Sequence, residues 1–156
     1  MSAKNYLAFK IQQLHLAIAL SSVVEVCLAA AIKRVISPFG LIEGICTYRG
    51  QLIPVFDLSK RLNLATTVLS PHHFFIIIKL HGKIVALKVD AIDDIVPITD
   101  SELSDGVTIP RGNILPLMIQ LSNQTLLLCD TAALLADDAE IEYNAVMTQD
   151  LPGAGE

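Results

Sequence analysis

The 156-residue chain is 53% hydrophobic, 17% charged and 5% aromatic, has no tryptophan, and carries a formal net charge of −5 with a mean hydropathy of +0.56. That length suits one domain or two small subdomains on a shared core, and the composition excludes a disordered segment, a coiled coil, a collagen and a disulfide mini-protein. Residues 1–70 hold seven bases and three acids, residues 71–136 four and seven, and residues 137–156 six acids and no base; with no basic run or aromatic-and-arginine motif, nucleic acid is excluded as a partner.

Tyr6 to Ile11 and Leu14 to Leu20 are apolar runs joined by Gln12-Gln13, a predicted hairpin. Leu14 to Ile32 also has the length and hydropathy of a membrane span. Glu25, His15, Ser21 and Ser22 interrupt it, and a carboxylate at mid-bilayer costs about 2.5 to 3.5 kcal/mol, so no membrane insertion is expected. A second hairpin turns at Arg49-Gly50, where glycine suits a positive φ. Asp57 then opens DLSKRL as the N-cap of a short helix.

Phe74 to Leu80 and Ile84 to Val89 form a third hairpin around His81-Gly82. Asp100 to Asn113 reads as an exposed loop. A fourth hairpin turns at Ser122-Asn123, with Asn123 expected at positive φ, and Asp130 caps DTAALL. Pro54, Pro97, Pro110 and Pro116 point to short, edge-like strands. Residues 137–156 read as a mobile acidic tail.

The chain repeats itself. Lys10 to Val26 lies on Lys79 to Ile95 at an offset of 69, matching Ala17 with Ala86 and Glu25 with Asp94. Tyr48 to Leu62 lies on Leu121 to Leu135 at an offset of 73, matching Val55 with Leu128 and Asp57 with Asp130. One connecting loop absorbs the difference. The expected architecture is all-β, two small barrels on one core, the first over about residues 6–70 and the second over about 71–136, with exchange of strands between them left open.

No hydrolase elbow, phosphate-binding glycine loop, zinc-protease helix or dinucleotide fingerprint is present. His72, His73 and His81 invite a metal-site reading, but adjacent strand residues face opposite ways, so no metal is expected there. Asp90, Asp93 and Asp94 read as solvated turn charges rather than a calcium loop. Cys27, Cys46 and Cys129 lie in apolar runs without a C-x-x-C pair and are expected as buried, reduced thiols of a cytoplasmic protein. Arg49, a fixed cation at a hairpin tip, either holds a carboxylate within the fold or presents itself to a partner. The surplus of apolar residues predicts surface patches reserved for partners.

In Gly44 to Leu64, GICTYRGQLIPVFDLSKRLNL, the residues Gly44, Ile45, Arg49, Gly50, Pro54, Val55, Asp57 and Leu58 agree with a G-V-I-N-L-R-G-x-x-x-P-V-x-D-L run. The chain thereby resembles the CheW-like domain of bacterial chemotaxis coupling proteins, over Tyr6 to Ala136. It departs from the motif in having Thr47-Tyr48 before Arg49-Gly50. The resemblance implies two Src homology 3-like five-stranded barrels with short helices and no catalytic residues or cofactor. It implies a non-enzymatic adaptor between the regulatory domain of a CheA-type histidine kinase and the cytoplasmic tips of methyl-accepting chemoreceptors, in chemotaxis or a related system such as that of the type IV pilus. The site it suggests on the receptor side is Val23, Glu25 and Arg49. It also implies a cytoplasmic protein recruited to membrane-bound receptor arrays. The alternative function is a ligand- or metal-sensing regulatory module that uses the groove between the barrels.

Overall fold

The computed structural model describes residues 2–149. In chain order the strands are β1 (Ala3–Ile11), β2 (Leu14–Ala19), β3 (Val23–Leu28), β4 (Ile42–Tyr48), β5 (Gln51–Asp57), β6 (Phe74–Leu80), β7 (Lys83–Val89), β8 (Ala91–Thr99), β9 (Val107–Thr108), β10 (Leu117–Gln120) and β11 (Thr125–Leu128). The helices are α1 (Asp100–Ser104), α2 (Thr131–Leu134) and α3 (Asp138–Met147), with a single 3-10 turn at Leu20–Ser22. The span-like stretch from Leu14 is thus β2, the turn and β3, and among the described residues no helix is long and apolar enough to cross a membrane.

The strands do not divide at residue 70. One sheet runs β8-β1-β2-β11-β10-β9 and the other β3-β6-β7-β5-β4, so each takes its first hairpin from the opposite half of the chain. The repeat explains the symmetry of this exchange. The parallel junction of the first barrel sets Val55 opposite Ala86, and that of the second sets Leu128 opposite Ala17; these four positions are matched by the two repeat offsets. Both third strands also bulge at matched positions, between Val23 and Glu25 opposite β6 and between Ile92 and Ile95 opposite β1.

Exchange accounts for the hydropathy. Along β1, Leu7, Phe9 and Ile11 enter a core shared by both sheets while Tyr6 and Ala8 face a second cluster; along β6, Ile76 and Ile78 enter the shared core while Phe75 and Ile77 face a third. Strands buried on both faces lose the polar alternation of a one-sided sheet. Much of the apolar surplus is therefore interior rather than partner surface, although Leu28, Ile36, Val68 and Leu115 remain well exposed.

Several local expectations change in the fold. Pro54 lies on β5, an inner strand, where its missing N–H is tolerated because pairing with β7 begins only at Val55. Pro97 is on β8, an edge. Asp57 accepts the Ser59 N–H at 3.0 Å and Asp130 the Ala132 N–H at 3.1 Å, but only the second opens a helix; after Asp57 the chain makes turns and stops at Asn63, φ 57°. Asn123 has no positive φ, because β10 and β11 are joined by a four-residue loop closed by Leu121 N–H to Gln124 O at 2.8 Å. The expected loop from Asp100 contains α1, secured by a capping box in which Glu102 N–H donates to Thr99 Oγ1 at 3.1 Å and Thr99 N–H to Glu102 Oε1 at 2.9 Å.

The largest correction concerns the tail. Residues from Asp138 form α3, which buries Ala139, Glu142 and Val146. The Glu142 carboxylate, fully buried, accepts the Phe39 and Ile42 N–H groups at 2.6 Å each and the Ser37 hydroxyl. It accepts the Phe39 N–H and joins Ser37 Oγ, 3.3 Å from Ile42 N, as an acceptor for the Ile42 N–H, which ties α3 to the β3–β4 connection. The end of the expected tail, residues 150–156, lies outside the described residues.

Candidate partner-binding site

β3 and β4 are the two edge strands of the first barrel's sheet, and the seam between them is where Glu25 and Arg49 meet. Backbone closes part of it: Lys33 and Ile45 exchange two hydrogen bonds of 2.8 Å. Gly44 permits this approach, since a Cβ there would stand 2.5 Å from Lys33 O. Side chains close the rest. Tyr48 pairs with Gln51 across a two-residue turn in which Arg49 (φ 48°) and Gly50 (φ 81°) are both left-handed, the type I′ geometry that matches strand twist.

Arg49 Nη2 lies 2.8 Å from Glu25 Oε1, and the Tyr48 hydroxyl donates to the same oxygen. The guanidinium carbon stands 5.2 Å from the centroid of the Tyr48 ring, a cation–π contact. The Tyr48 hydroxyl titrates above the ordinary phenol value, chiefly because Glu25 holds its proton. Arg49 stays 71% exposed at its side chain. Of the two readings of this arginine, the fold realises the first, since it holds a carboxylate, and it leaves most of the side chain facing outward.

Val23 is half-buried and packs on the shared core, whereas Val24, the residue extruded by the bulge, is 42% exposed, and Leu28 on the same strand is 67% exposed. Tyr48 and Val24 are the residues sequence reasoning missed. Tyr48 had a signal, its place beside Arg49 at a hairpin tip; Val24 had none, because a bulge is visible only once the partner strand is known.

Elsewhere the polar groups serve the fold. Lys88 is buried, 2.6 Å from Glu43 Oε1 and 3.4 Å from Asp57 Oδ2, and donates to Thr67 O at 2.7 Å. The first duplicated aspartate is thus a turn cap and half of a buried ion cluster. His73 accepts the Ser70 N–H on Nδ1 at 2.9 Å, which leaves the proton on Nε2, 3.2 Å from Asp90 Oδ1. His72 and His81 are exposed, and among the described residues no group of three His, Cys, Asp or Glu side chains is placed to hold a metal. Burial pushes the Cys46 thiol up to about 11 and Cys129 to about 12; burial and the Glu25 charge also raise Cys27. Thiols so protonated are poor nucleophiles. A cavity of about 380 Å³ lies between the β6–β7 hairpin and α3, lined by Phe56, Leu80, Lys83, Val85, Leu135 and Tyr143 among others.

The profile of the CheW-like domain family matches residues 5–139. The probable chemotaxis protein CheW of Rhizobium etli is 35% identical over 57 residues, which is 36% of this chain and 37% of that protein. The chemotaxis protein CheW of Rhizobium meliloti is 30% identical over 60 residues, 38% and 39% of the two chains. The matched stretch thus spans little more than a third of each of these curated relatives. The crystal structure of the scaffolding protein TtCheW from Thermoanaerobacter tengcongensis superposes with a TM-score of 0.74 at 22% identity, covering 89% of this chain and 92% of that one. The similarity is one of fold, and the two sheets correspond to its two Src homology 3-like barrels.

Proposed function

The chain belongs to the CheW-like domain family, and from that premise we propose that it is a non-enzymatic adaptor coupling chemoreceptor tips to a CheA-type histidine kinase, in chemotaxis or a related chemosensory system. The observation that carries this reading is the exposed Arg49, bonded to Glu25 at the seam of a barrel, with the exposed Val24 next to Glu25 on β3. The receptor side is proposed as Val23, Glu25 and Arg49, extended by Val24 and Tyr48. An exposed guanidinium held in place over an aromatic ring has the composition of a binding hot spot. Its place of work is the cytoplasm, at receptor arrays.

Light scattering after size exclusion, on this protein mixed with the dimerisation and regulatory domains of a CheA-type kinase from the same genome, tests the kinase side. A stable mixed complex is expected. A protein that elutes alone at micromolar concentration would turn attention to the second reading, a ligand-sensing module. That reading is favoured by the cavity beside Lys83, whose volume of about 380 Å³ lies in the range of small-molecule pockets, roughly 300 to 1,000 Å³. A metabolite bound there must raise the melting temperature by mass action.

A further inference from the structure

We propose that Tyr48 is a specificity-determining residue of the partner surface: by holding Glu25 and Arg49 to one another, it makes that surface select a carboxamide side chain, Asn or Gln, over a charged one. This rests on the adaptor reading and names the chemistry of the contact within it.

Tyr48 acts on both charges at once. Its hydroxyl donates to Glu25 Oε1, the oxygen that Arg49 Nη2 also reaches at 2.8 Å, while its ring carries the guanidinium at 5.2 Å. The ring is itself anchored, packed against the cluster of Cys46, Ile53, Val55, Phe75 and Ile77. The pair is therefore held from an aromatic base rather than by two long, free side chains.

What remains outward has a definite hydrogen-bonding character. Both donors land on Oε1, and among the described residues Oε2 receives none. Arg49 is 71% exposed and has further N–H groups to offer. The cluster thus presents an acceptor beside donors with no net charge. A carboxamide, whose C=O and NH2 sit side by side, answers both without separating the pair. A carboxylate would find Arg49 but abut Glu25, and an ammonium the reverse, so either must break the Glu25–Arg49 contact that Tyr48 secures.

The test measures binding of the wild type, Tyr48→Phe and Tyr48→Leu to the isolated cytoplasmic tips of the chemoreceptors encoded in the same genome. The wild type should bind with affinity that changes less than about twofold between low and high salt, because no net charge is exchanged. Phe keeps the ring and loses the hydroxyl; Leu loses both. Losses of about threefold and about tenfold are expected, with steeper salt dependence in the leucine variant, whose Arg49 is freed. In an alanine scan of the bound tip's Asn and Gln residues, one substitution should weaken the wild type and have no further effect on Tyr48→Leu. If no such residue is coupled to Tyr48, or if both variants bind as the wild type does, the inference falls while the adaptor reading stands. If the wild type binds no tip, the adaptor reading falls and takes the inference with it.

A second readout needs no partner. In Glu25→Gln the phenol of Tyr48, followed by difference absorbance against Tyr48→Phe, should titrate closer to the ordinary value. An unchanged titration would show that the lock does not exist in solution. Should Tyr48→Leu fail to fold, Tyr48→Phe carries the comparison.

Discussion

The two barrels share a backbone plan and differ in what they do with it. In the first, the bulged strand and the hairpin tip bring Glu25, Tyr48 and Arg49 together. The offsets place Asp94, Leu121 and Ser122 at those positions in the second, which has an acid and no cation. Its turn is a four-residue loop in place of the left-handed Arg49-Gly50 pair, and Asp94 is exposed. The neighbouring Asp93 lies 3.9 Å from His15. Duplication kept what the backbone needs, namely the bulge, the parallel register and the aspartate turn. The side chains proposed for the partner surface, Glu25, Tyr48 and Arg49, stand on the first barrel.

The interiors differ in the same way. Asp57 in the first barrel shares the buried Lys88 with Glu43, while the repeat puts Ala19 at the lysine's position in the second. Lys88→Ala should therefore have the largest effect of any substitution considered. Two carboxylates would be left in low-dielectric surroundings without their cation, a loss of about 3 to 5 kcal/mol by urea unfolding. A loss below 1 kcal/mol would mean that water reaches the cluster and that the two interiors are more alike than they look.

Helix α3 follows only the second repeat, and Glu142 docks it. Glu142→Ala should remove about 2 to 4 kcal/mol, since the Phe39 N–H loses its acceptor and the Ile42 N–H keeps Ser37 Oγ, at 3.3 Å. Truncation after Ala136 with no loss of stability would return that segment to the status of a tail.

Arg49→Asn separates the partner role from the structural one. Asparagine tolerates the left-handed backbone of Arg49, so stability should change by less than about 1 kcal/mol, as for an exposed ion pair. Binding to a receptor tip should weaken about tenfold or more. A large fall in melting temperature with unchanged binding would make Arg49 a structural residue. The smallest expected effect is that of Ser122→Arg, which gives the second barrel a cation near Asp94. A coupling of a few tenths of a kcal/mol in a double-mutant cycle with Asp94→Asn is expected, and none at all would show that the longer loop holds residue 122 away from the strand.

Local signals carried far in this chain. Gly50 after Arg49 set a two-residue turn, Asp57 and Asp130 set i to i+2 caps, and the spacing of matched runs set two copies of one unit. Arg49, within the motif, and Glu25, through the wider resemblance, were singled out from the sequence, and the fold brings the two together. Glu142 was not, because an acid in an acid-rich segment differs from its neighbours only by what it touches a hundred residues away. The same holds for Lys88, which in sequence is one more lysine near the end of an apolar strand.

By itself, then, the sequence determined the repeat, the hairpins, the Arg49-Gly50 turn and the residues of that exposed tip, all of which depend on contacts within a few residues. Only the tertiary structure decided that the hairpins change barrels, that Tyr48 joins Glu25 and Arg49, and that α3 closes the β3–β4 connection. Those outcomes rest on pairing between distant strands whose apolar patterns are nearly interchangeable, and on buried polar groups finding partners across the core. Neither leaves a periodic trace along the chain.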